Sequence, residues 1–192
     1  MKITKERWLE AQAQEKIEHS KYEDGNLFFS RFYANYFKLL GMDEDQGGKS
    51  IVEVGCAFYP GLAYVTNYRD SAIVEPMFSD ELARFVDTHD VTWYMSPLED
   101  LVLPVFDEMW LFNVLQHTLD PDAFVEAAKK YARLIRFFEP INVPTGTCHP
   151  HQFTLQDFQG WFGGDAKEYV WDKKTDYTHV ANCAMGSYYT GL

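Results

Sequence analysis

The spacing of hydrophobic residues changes once along this chain, near residue 41. Between residues 28 and 40, aromatic and aliphatic side chains recur at every third or fourth position, which is the pattern of an amphipathic helix. Residues 6–18 also favour a helix, although their apolar face is thin. Gly41 ends the second helix, and the polar, glycine-containing residues 41–50 predict an exposed loop. We therefore expect residues 1–41 to form a helical cap that is not a separate domain.

Beyond the loop, short apolar runs alternate with segments of helical spacing. Strands are predicted at residues 51–54, 72–75, 91–95, 109–112, 134–138, 167–171 and 180–187. Helices are predicted at residues 62–68, at residues 80–87, from Asp120 onward and at residues 155–162. This alternation predicts a mostly parallel, doubly wound α/β sheet, and the last two strands, which have no helix between them, predict an antiparallel edge. We expect the α/β core to span residues 50–192 within one domain of residues 1–192.

Capping signals mark three of these helix starts. Ser79 precedes the second helix of the core, and Asp120 precedes Pro121, which is tolerated where a helix needs no N–H donor. Thr154 and Asp157 have the spacing of a capping box.

The composition is that of an acidic, globular protein. Of 192 residues, 46% are hydrophobic and 24% are charged, which argues against a disordered chain. The formal net charge is −12, which disfavours long nucleic acids and anionic membranes as partners. No window approaches about 18 consecutive apolar residues and the amino terminus is charged, so we expect neither a membrane span nor a signal peptide. Cys56, Cys148 and Cys183 form no C-x-x-C pair and predict reduced thiols in a cytoplasmic protein.

The end of the first predicted strand is the strongest candidate for a ligand site. In open α/β sheets, ligands bind beyond the carboxyl ends of the strands. Gly55, Ala57 and Gly61 are small and allow the backbone to approach a ligand, although they also fit an ordinary tight turn. Glu75 follows 20 residues after Gly55, at the end of the second predicted strand, where its carboxylate could accept both hydroxyls of an adenosine ribose.

With these residues the sequence resembles the class I S-adenosylmethionine-dependent methyltransferases. Residues 53–57, E-V-G-C-A, with a later glycine, resemble the first motif of that family, and Glu75 matches its acidic ribose ligand. Residues 98–101 resemble the segment that lines adenine. Residues 106–110 resemble the entry to the fourth strand, and residues 113–117 resemble the loop that follows it. The matches cover roughly residues 50–160 in the family's order.

The resemblance implies a Rossmann-like fold, an S-adenosyl-L-methionine cofactor and transfer of a methyl group to a small-molecule or other acceptor. It implies cofactor contacts for Glu53, Gly55, Cys56, Ala57, Gly61, Glu75, Leu98, Glu99 and Asn113. Two roles stay open at this point. Glu53 could hold the amino-acid end of the cofactor or only cap a loop, and of Glu99 and Asp100 we expect one to touch the ligand.

Three features depart from the family's pattern. Ala57 stands where the family's middle glycine is usual, and Pro97 stands where many relatives have an aspartate. Adenine contact would then fall to the backbone near Leu98 or to the side chain of Glu99. The predicted fifth strand also lacks the Pro-Gly-Gly turn that commonly precedes it.

Histidines are the candidate groups that could act on the methyl acceptor. His117 follows the fourth strand, where a base could act near neutral pH, or where a structural histidine could precede the next helix. His149 and His151 flank Pro150, and an extended H-x-H segment would point both rings to one side. We predict no metal there, because no cysteine or carboxylate lies at supporting spacing. Roles in the acceptor pocket or in packing of the loop remain open.

Two helical features and two rival functions complete the prediction. The aromatic stripe of residues 28–37 favours core packing over an acceptor platform, and the helix that bears Trp8 could cover the pocket. A nicotinamide-dependent oxidoreductase is disfavoured because G-x-G-x-x-G is absent. A Tyr-x-x-x-Lys string runs from Tyr169 to Lys173, but it begins in a predicted strand, whereas such a site needs a helix. A protein that binds an adenosyl ligand or a protein partner without turnover is the remaining alternative.

Overall fold

The computed structural model describes residues 2–21, 25–170 and 182–192, except for the side chains of residues 25–29. Its α-helices are α1 (Lys5–His19), α2 (Gly25–Leu39), α3 (Asp80–Thr88), α4 (Pro121–Tyr131) and α5 (Leu155–Phe162). Its strands are β1 (Asp45–Val54), β2 (Thr66–Val74), β3 (Val91–Tyr94), β4 (Phe106–Phe112), β5 (Ala132–Ile141), β6 (Lys167–Val170) and β7 (Asn182–Tyr189). No helix in these residues is long and apolar enough to cross a membrane.

The strands form one sheet in the order β3-β2-β1-β4-β5-β7-β6. The first five strands in this order are parallel, and β7 pairs antiparallel with both β5 and β6. This arrangement confirms the predicted mostly parallel α/β sheet with an antiparallel edge. The chain reverses its direction of travel across the sheet between β1 and β4, which is where the carboxyl ends of the strands leave a crevice.

The aromatic face of α2 packs against the sheet. Tyr36 stacks on Phe138 of β5 with ring centroids 4.6 Å apart, and the rings of Phe37 and Trp110 of β4 lie 5.4 Å apart. Tyr33, Tyr36 and Phe37 are therefore core residues, as the sequence favours, although Tyr33 and Tyr36 also line a cavity; the side chains of residues 28 and 29 lie outside the described residues. Because α2 shares its core with the strands, we propose that the helices of residues 1–41 and the core of residues 50–192 form one domain.

The predicted caps are present in the structure. The Ser79 hydroxyl accepts a hydrogen bond from the amide of Leu82, and Thr154 forms a capping box with Asp157 at the start of α5. The carboxylate of Asp120 accepts from the amide of Ala123 at 3.4 Å. These contacts place the starts of α3, α4 and α5 as the sequence predicts.

Two predictions near β1 are wrong. Residues 45–50 are not a loop but the first half of β1, because the chain at Asp45 pairs with Thr66 of β2. The predicted helix of residues 62–68 is replaced by a single 3₁₀ turn (Gly61–Tyr64), after which β2 begins at once. The β-branched residues Val65 and Thr66 favour this extended start. Residues 171 and 180–181 of the predicted late strands, and Lys173 of the Tyr-x-x-x-Lys string, lie outside the described residues.

Candidate functional site

A cavity of about 380 Å³ lies at the carboxyl ends of β1, β2 and β4. Its volume is within the range of small-molecule sites. Helix α1 forms part of its wall, with Trp8 among the lining residues. The predicted site residues that line this cavity are Gly55, Cys56, Ala57, Glu75, Leu98, Glu99, Asn113 and His117. The fold therefore brings most of the residues predicted from the sequence to one cavity.

The turn after β1 depends on small residues. Gly55 has a φ of +73°, and a Cβ atom at this position would lie 2.1 Å from Cγ2 of Val114. Ala57 also has a left-handed backbone, with a φ of +52°, and its amide donates to Oε2 of Glu75 at 2.8 Å. The turn therefore passes close to the loop after β4 and exposes backbone to the cavity.

Glu75 joins this turn to the end of β2. Its Oε1 accepts a hydrogen bond from the amide of Met77 at 2.8 Å, so each carboxylate oxygen binds one backbone N–H. The side chain is only 2% exposed, and burial raises the pKa of Glu75 to about 7. Each oxygen retains a further lone pair, which can accept a hydrogen bond from a ligand in the cavity.

Glu53 caps the loop that follows the turn after β1, which is one of the two roles that the sequence left open for it. Its carboxylate accepts from the amides of Gly61 at 2.7 Å and Leu62 at 3.0 Å and from the hydroxyl of Tyr33 at 2.9 Å. Burial raises the pKa of Glu53 to about 7. Neither Glu53 nor Gly61 is among the residues that line the cavity. Their predicted cofactor contacts therefore find no support in the cavity's geometry, because Gly61 packs against Tyr33 and the carboxylate is engaged by the loop.

The segment after β3 presents Glu99 to the cavity. Residues 98–100 form a 3₁₀ turn in which Leu98 is buried, Glu99 is half-buried and Asp100 is exposed. Oε1 of Glu99 is buried and has no hydrogen-bond partner among the described residues. Burial raises the pKa of Glu99. A buried oxygen without a partner on a cavity wall is an acceptor site for a ligand N–H or O–H.

Glu139, which was not among the residues predicted from the sequence, positions the loop after β4. Its carboxylate is fully buried and accepts from the amides of Val114 at 2.9 Å and Leu115 at 3.1 Å, and burial raises the pKa of Glu139 to about 8. The amide of Asn113, at a φ of +60°, donates to the carbonyl of Phe138. The available signal was the one carboxylate of β5, which directly follows two phenylalanines in the sequence.

His117 lies in the loop after β4, beneath helix α1. Its Nδ1 is 3.0 Å from the carbonyl oxygen of Cys148, and its own carbonyl accepts a hydrogen bond from the indole N–H of Trp8 at 3.0 Å. Burial lowers the pKa of His117 to about 4, so the ring is neutral at pH 7. The helix that bears Trp8 covers this part of the cavity, as the sequence allowed.

The two histidines of the H-x-H segment have different partners. His149 lines the cavity, with its ring centroid 4.9 Å from that of His117, whereas His151 is buried and makes a 2.8 Å hydrogen bond with the carbonyl of Thr118. Both rings contact the loop after β4, but only His149 lines the cavity, because the Thr118 carbonyl holds His151 within the protein. His151 has the packing role, and His149 has a place in the cavity.

The charge of the cavity wall is negative. Glutamates from three parts of the chain line it, namely Glu15 and Glu18 on α1, Glu75 after β2, and Glu99. Among the described residues that line the cavity there is no lysine or arginine. Aromatic rings of α2, β4 and β5 complete the wall. The cavity therefore favours ligand groups that are neutral or positively charged and apolar in part.

The fold is similar to that of solved methyltransferases, although the sequences differ widely. The N-methyltransferase NodS of Bradyrhizobium japonicum WM9, solved with S-adenosyl-L-homocysteine, superposes with a TM-score of 0.67 at 13% identity, over 93% of this chain and 98% of NodS. No protein-family model and no curated protein sequence matches the chain.

Two further structures show the same likeness. The 1,6-didemethyltoxoflavin N1-methyltransferase of Burkholderia thailandensis, solved with 1,6-didemethyltoxoflavin and S-adenosylhomocysteine, has a TM-score of 0.65 at 12% identity, over 96% of this chain and 89% of its own. The magnesium protoporphyrin IX methyltransferase of Synechocystis PCC 6803, solved with S-adenosylmethionine, has a TM-score of 0.59 at 12% identity, over 86% and 82%. The chain therefore has the fold of the class I methyltransferases.

Proposed function

We propose that this protein is an S-adenosylmethionine-dependent methyltransferase whose acceptor is a small molecule. One observation carries the proposal: the turn of residues 55–57, Glu75 and Glu99 meet on the wall of one cavity at the switch point of the sheet. When bound there, S-adenosylmethionine supplies a methyl group on a sulfonium for in-line displacement by an acceptor atom. The three similar structures named above contain this cofactor or its demethylated product, S-adenosylhomocysteine.

The cavity wall offers a partner for each part of an adenosyl group. Glu75, fixed by two backbone amides, has lone pairs for the ribose hydroxyls. Oε1 of Glu99 lacks a partner and suits the amino group of adenine, beside the apolar side chain of Leu98. The left-handed backbone at Gly55 and Ala57 lets the chain approach the ligand without a clash. Cys56 and Asn113 complete the proposed contacts.

The negative charge of the cavity wall limits the classes of acceptor that fit. A sulfonium is stabilised by carboxylates and aromatic faces, and both line the wall. A phosphorylated acceptor or a nucleic acid would place negative charge against glutamates, with no arginine or lysine of the described wall to neutralise it. A neutral or cationic small molecule with an apolar part fits this wall best.

The dinucleotide alternative has less support. A pyrophosphate binds at the N-terminus of the helix that follows the first strand in dinucleotide sites. Here the first strand leads into the short turn Gly61–Tyr64 and directly into β2, so that helix is replaced. The absence of cations from the described cavity wall also disfavours two phosphates. A ligand-binding protein without turnover remains the alternative, and only an activity measurement separates it from the proposal.

Cofactor affinity is expected to rise with pH. Because the pKa of Glu75 is about 7, most of its carboxyl groups are protonated at pH 6 and ionised at pH 8. The ionised form alone accepts hydrogen bonds from both ribose hydroxyls with charge assistance. The dissociation constant of S-adenosylhomocysteine, measured by isothermal titration calorimetry, should therefore fall about tenfold from pH 6 to pH 8.

Glu53 provides the control for this measurement. Its pKa is also about 7, yet it lies outside the cavity wall. The pH dependence should persist in Glu53→Gln and disappear in Glu75→Gln. An affinity in the unsubstituted protein that is constant between pH 6 and pH 8 would contradict the role of Glu75.

His117 is the residue that we propose to activate the acceptor. With S-adenosylmethionine and a panel of small amines, phenols and thiols, the protein should release S-adenosylhomocysteine, measured by mass spectrometry, in the presence of at least one acceptor. His117→Asn should lower kcat by about 100-fold or more, a loss typical of groups that handle the acceptor's proton. Its dissociation constant for S-adenosylhomocysteine should stay within about threefold, since the adenosyl contacts are elsewhere.

His151→Asn is the matched control, because His151 is a buried histidine in the same region that does not line the cavity. It should lower the thermal midpoint but leave kcat nearly unchanged. Equal losses of kcat in the two variants would show that His117 acts only through the fold. A protein that binds the cofactor but methylates nothing in the panel or in a wider metabolite extract would favour the alternative without turnover.

A further inference from the structure

Three side chains that are far apart in the sequence meet at one point of the cavity wall. Glu15 lies on α1, His117 lies after β4, and His149 lies in the loop between β5 and α5. One carboxylate oxygen and one ring nitrogen from each histidine all lie within 4.8 Å of one another. The sequence predicted no metal here because His149 has no carboxylate near it in the chain, but the fold supplies one from Glu15.

We propose that Glu15, His117 and His149 bind a divalent transition metal ion, with zinc as the best match. Two imidazoles and one carboxylate are a donor set that such ions prefer, whereas magnesium and calcium prefer oxygen alone. Three protein ligands leave a fourth position of a tetrahedral ion open to another molecule. A site of this kind differs from the adenosyl contacts, which involve none of these three residues.

The distances are close to those that zinc needs. Nδ1 of His117 lies 3.8 Å from Oε2 of Glu15. Around a tetrahedral ion with bonds of about 2.0–2.1 Å, donor atoms lie about 3.3 Å apart, so small rotations of the side chains suffice. The side chains of Glu15 and His117 are 14% and 12% exposed, which shields the donors while leaving them on a cavity wall.

Neighbouring groups already orient the donors. Oε1 of Glu15 makes a 2.9 Å hydrogen bond with Nε2 of His19, which leaves Oε2 directed toward His117. The side-chain amide of Gln116 lies 3.4 Å from Nε2 of His117, on the ring edge opposite Nδ1. Contacts of this type fix ring orientation and tautomer in metal sites. The Nδ1 of His117 now faces the carbonyl of Cys148, and metal binding would replace that hydrogen bond.

The position of the cluster gives the ion a role in the proposed reaction. Because the three residues line the same cavity as Glu75 and Glu99, an ion held by them would lie beside the space proposed for the adenosyl group. An oxygen, nitrogen or sulfur atom of the acceptor could occupy that position, where the ion would lower the pKa of the acceptor's proton. With the ion bound, His117 would act on the acceptor as a ligand of that ion and not as a free base. This role rests on the proposed methyltransferase function, whereas metal binding itself does not.

The test is a titration of Zn²⁺ into chelator-treated, tag-free protein by isothermal titration calorimetry. We expect one ion per chain with a micromolar or lower dissociation constant. Glu15→Gln and His149→Ala should each weaken binding by at least about 100-fold, since loss of supporting partners alone costs about 10–100-fold. Co²⁺ should give visible absorption bands of a four-coordinate ion, and Mg²⁺ at the same concentration should not compete.

Two controls separate this site from adventitious binding. His89→Ala removes an exposed histidine at the end of α3, and Cys148→Ser removes a thiol that lies against Glu15. Both variants should bind Zn²⁺ within about twofold of the unsubstituted protein, since the serine hydroxyl keeps a donor beside Glu15. Circular dichroism should show that all variants are folded. The proposal is overturned if the unsubstituted protein takes up no Zn²⁺ at 100-fold the expected dissociation constant. It is equally overturned if Cys148→Ser, and not His149→Ala, abolishes binding.

Titration of S-adenosylhomocysteine in the presence of a chelator keeps the two proposals distinct. Cofactor binding without Zn²⁺ binding would contradict the proposed metal site but not the proposed methyltransferase function. Zn²⁺ binding without cofactor binding would support the metal site and contradict the proposed methyltransferase function.

Discussion

Replacing Glu75 by glutamine is expected to weaken S-adenosylhomocysteine binding by about 100-fold. The carboxylate can accept from two ribose hydroxyls, and a hydrogen bond to a charged group contributes about 1.5–3 kcal/mol. Glutamine keeps one acceptor oxygen but loses the charge and replaces the second acceptor by an N–H donor. A loss of about 3 kcal/mol corresponds to the stated factor. Isothermal titration calorimetry at pH 8, where Glu75 is ionised, measures it directly.

Glu53→Gln is the matched control for this variant. Both glutamates are buried, both accept from two backbone amides, and burial raises the pKa of both to about 7. They differ in that Glu75 alone lines the cavity. Glu53→Gln should lower the free energy of unfolding but change the dissociation constant by less than about threefold. Equal losses of affinity in both variants would show that Glu75 acts through the loop and not through the ligand.

Gly55→Ala should have the largest effect on stability of any single methyl addition in the turn after β1. The new Cβ would lie 2.1 Å from Cγ2 of Val114, at a φ of +73°. A left-handed conformation costs an L-residue about 1–2 kcal/mol, and forced overpacking costs about 1–3 kcal/mol. Urea denaturation should therefore show a free energy of unfolding lower by roughly 2–5 kcal/mol, with loss of cofactor binding because the turn must shift.

Gly47→Ala isolates the backbone part of that cost. Gly47 has a φ of +64°, and a Cβ atom there would meet nothing within 4 Å. Its free energy of unfolding should fall by only about 1–2 kcal/mol, and cofactor binding should remain. If Gly55→Ala is no more destabilising than Gly47→Ala, the close approach between the turn and the loop after β4 is not present in solution.

The sheet and its caps could be predicted because their signals are local. The apolar runs of β3 to β5 and the capping residues Ser79, Asp120 and Thr154 act within a few positions of the chain. The first half of β1 could not be found in this way, since residues 45–50 are polar and become a strand only through pairing with β2. The helix predicted at residues 62–68 is absent because of contacts with residues that are distant in the chain. The aromatic face of α2 covers that part of the sheet instead.

In the candidate site too, some contacts could be predicted from spacing along the chain, and others depend on tertiary packing. The convergence of Glu75 on the turn at Ala57 follows from parallel strands that end at one edge, so spacing along the chain was enough to predict it. Glu15 joins His117 and His149 only through packing of α1 over the loop after β4, and no local pattern carries that contact. The division of roles between His149 and His151 likewise depends on a carbonyl supplied by Thr118.

Three buried carboxylates hold the loops at the carboxyl edge of the sheet, and the sequence pointed to two of them, Glu53 and Glu75. Glu53, Glu75 and Glu139 each accept from at least two backbone amides of loops at the carboxyl edge of the sheet. They fix the loops around the cavity before any ligand binds, which lowers the cost of ordering the site. Of the three, Glu75 also faces the cavity, so its role in stability and its proposed role in binding coincide.

A crystal structure of the protein with S-adenosylhomocysteine is the most direct measurement. We predict the ribose hydroxyls within about 2.5–3.2 Å of the Glu75 carboxylate, with the adenine amino group at Glu99 and the turn of residues 55–57 against the ligand. Electron density for the ligand elsewhere, or a Glu75 carboxylate that contacts only Ala57 and Met77 in a fully occupied complex, would contradict the proposed adenosyl site.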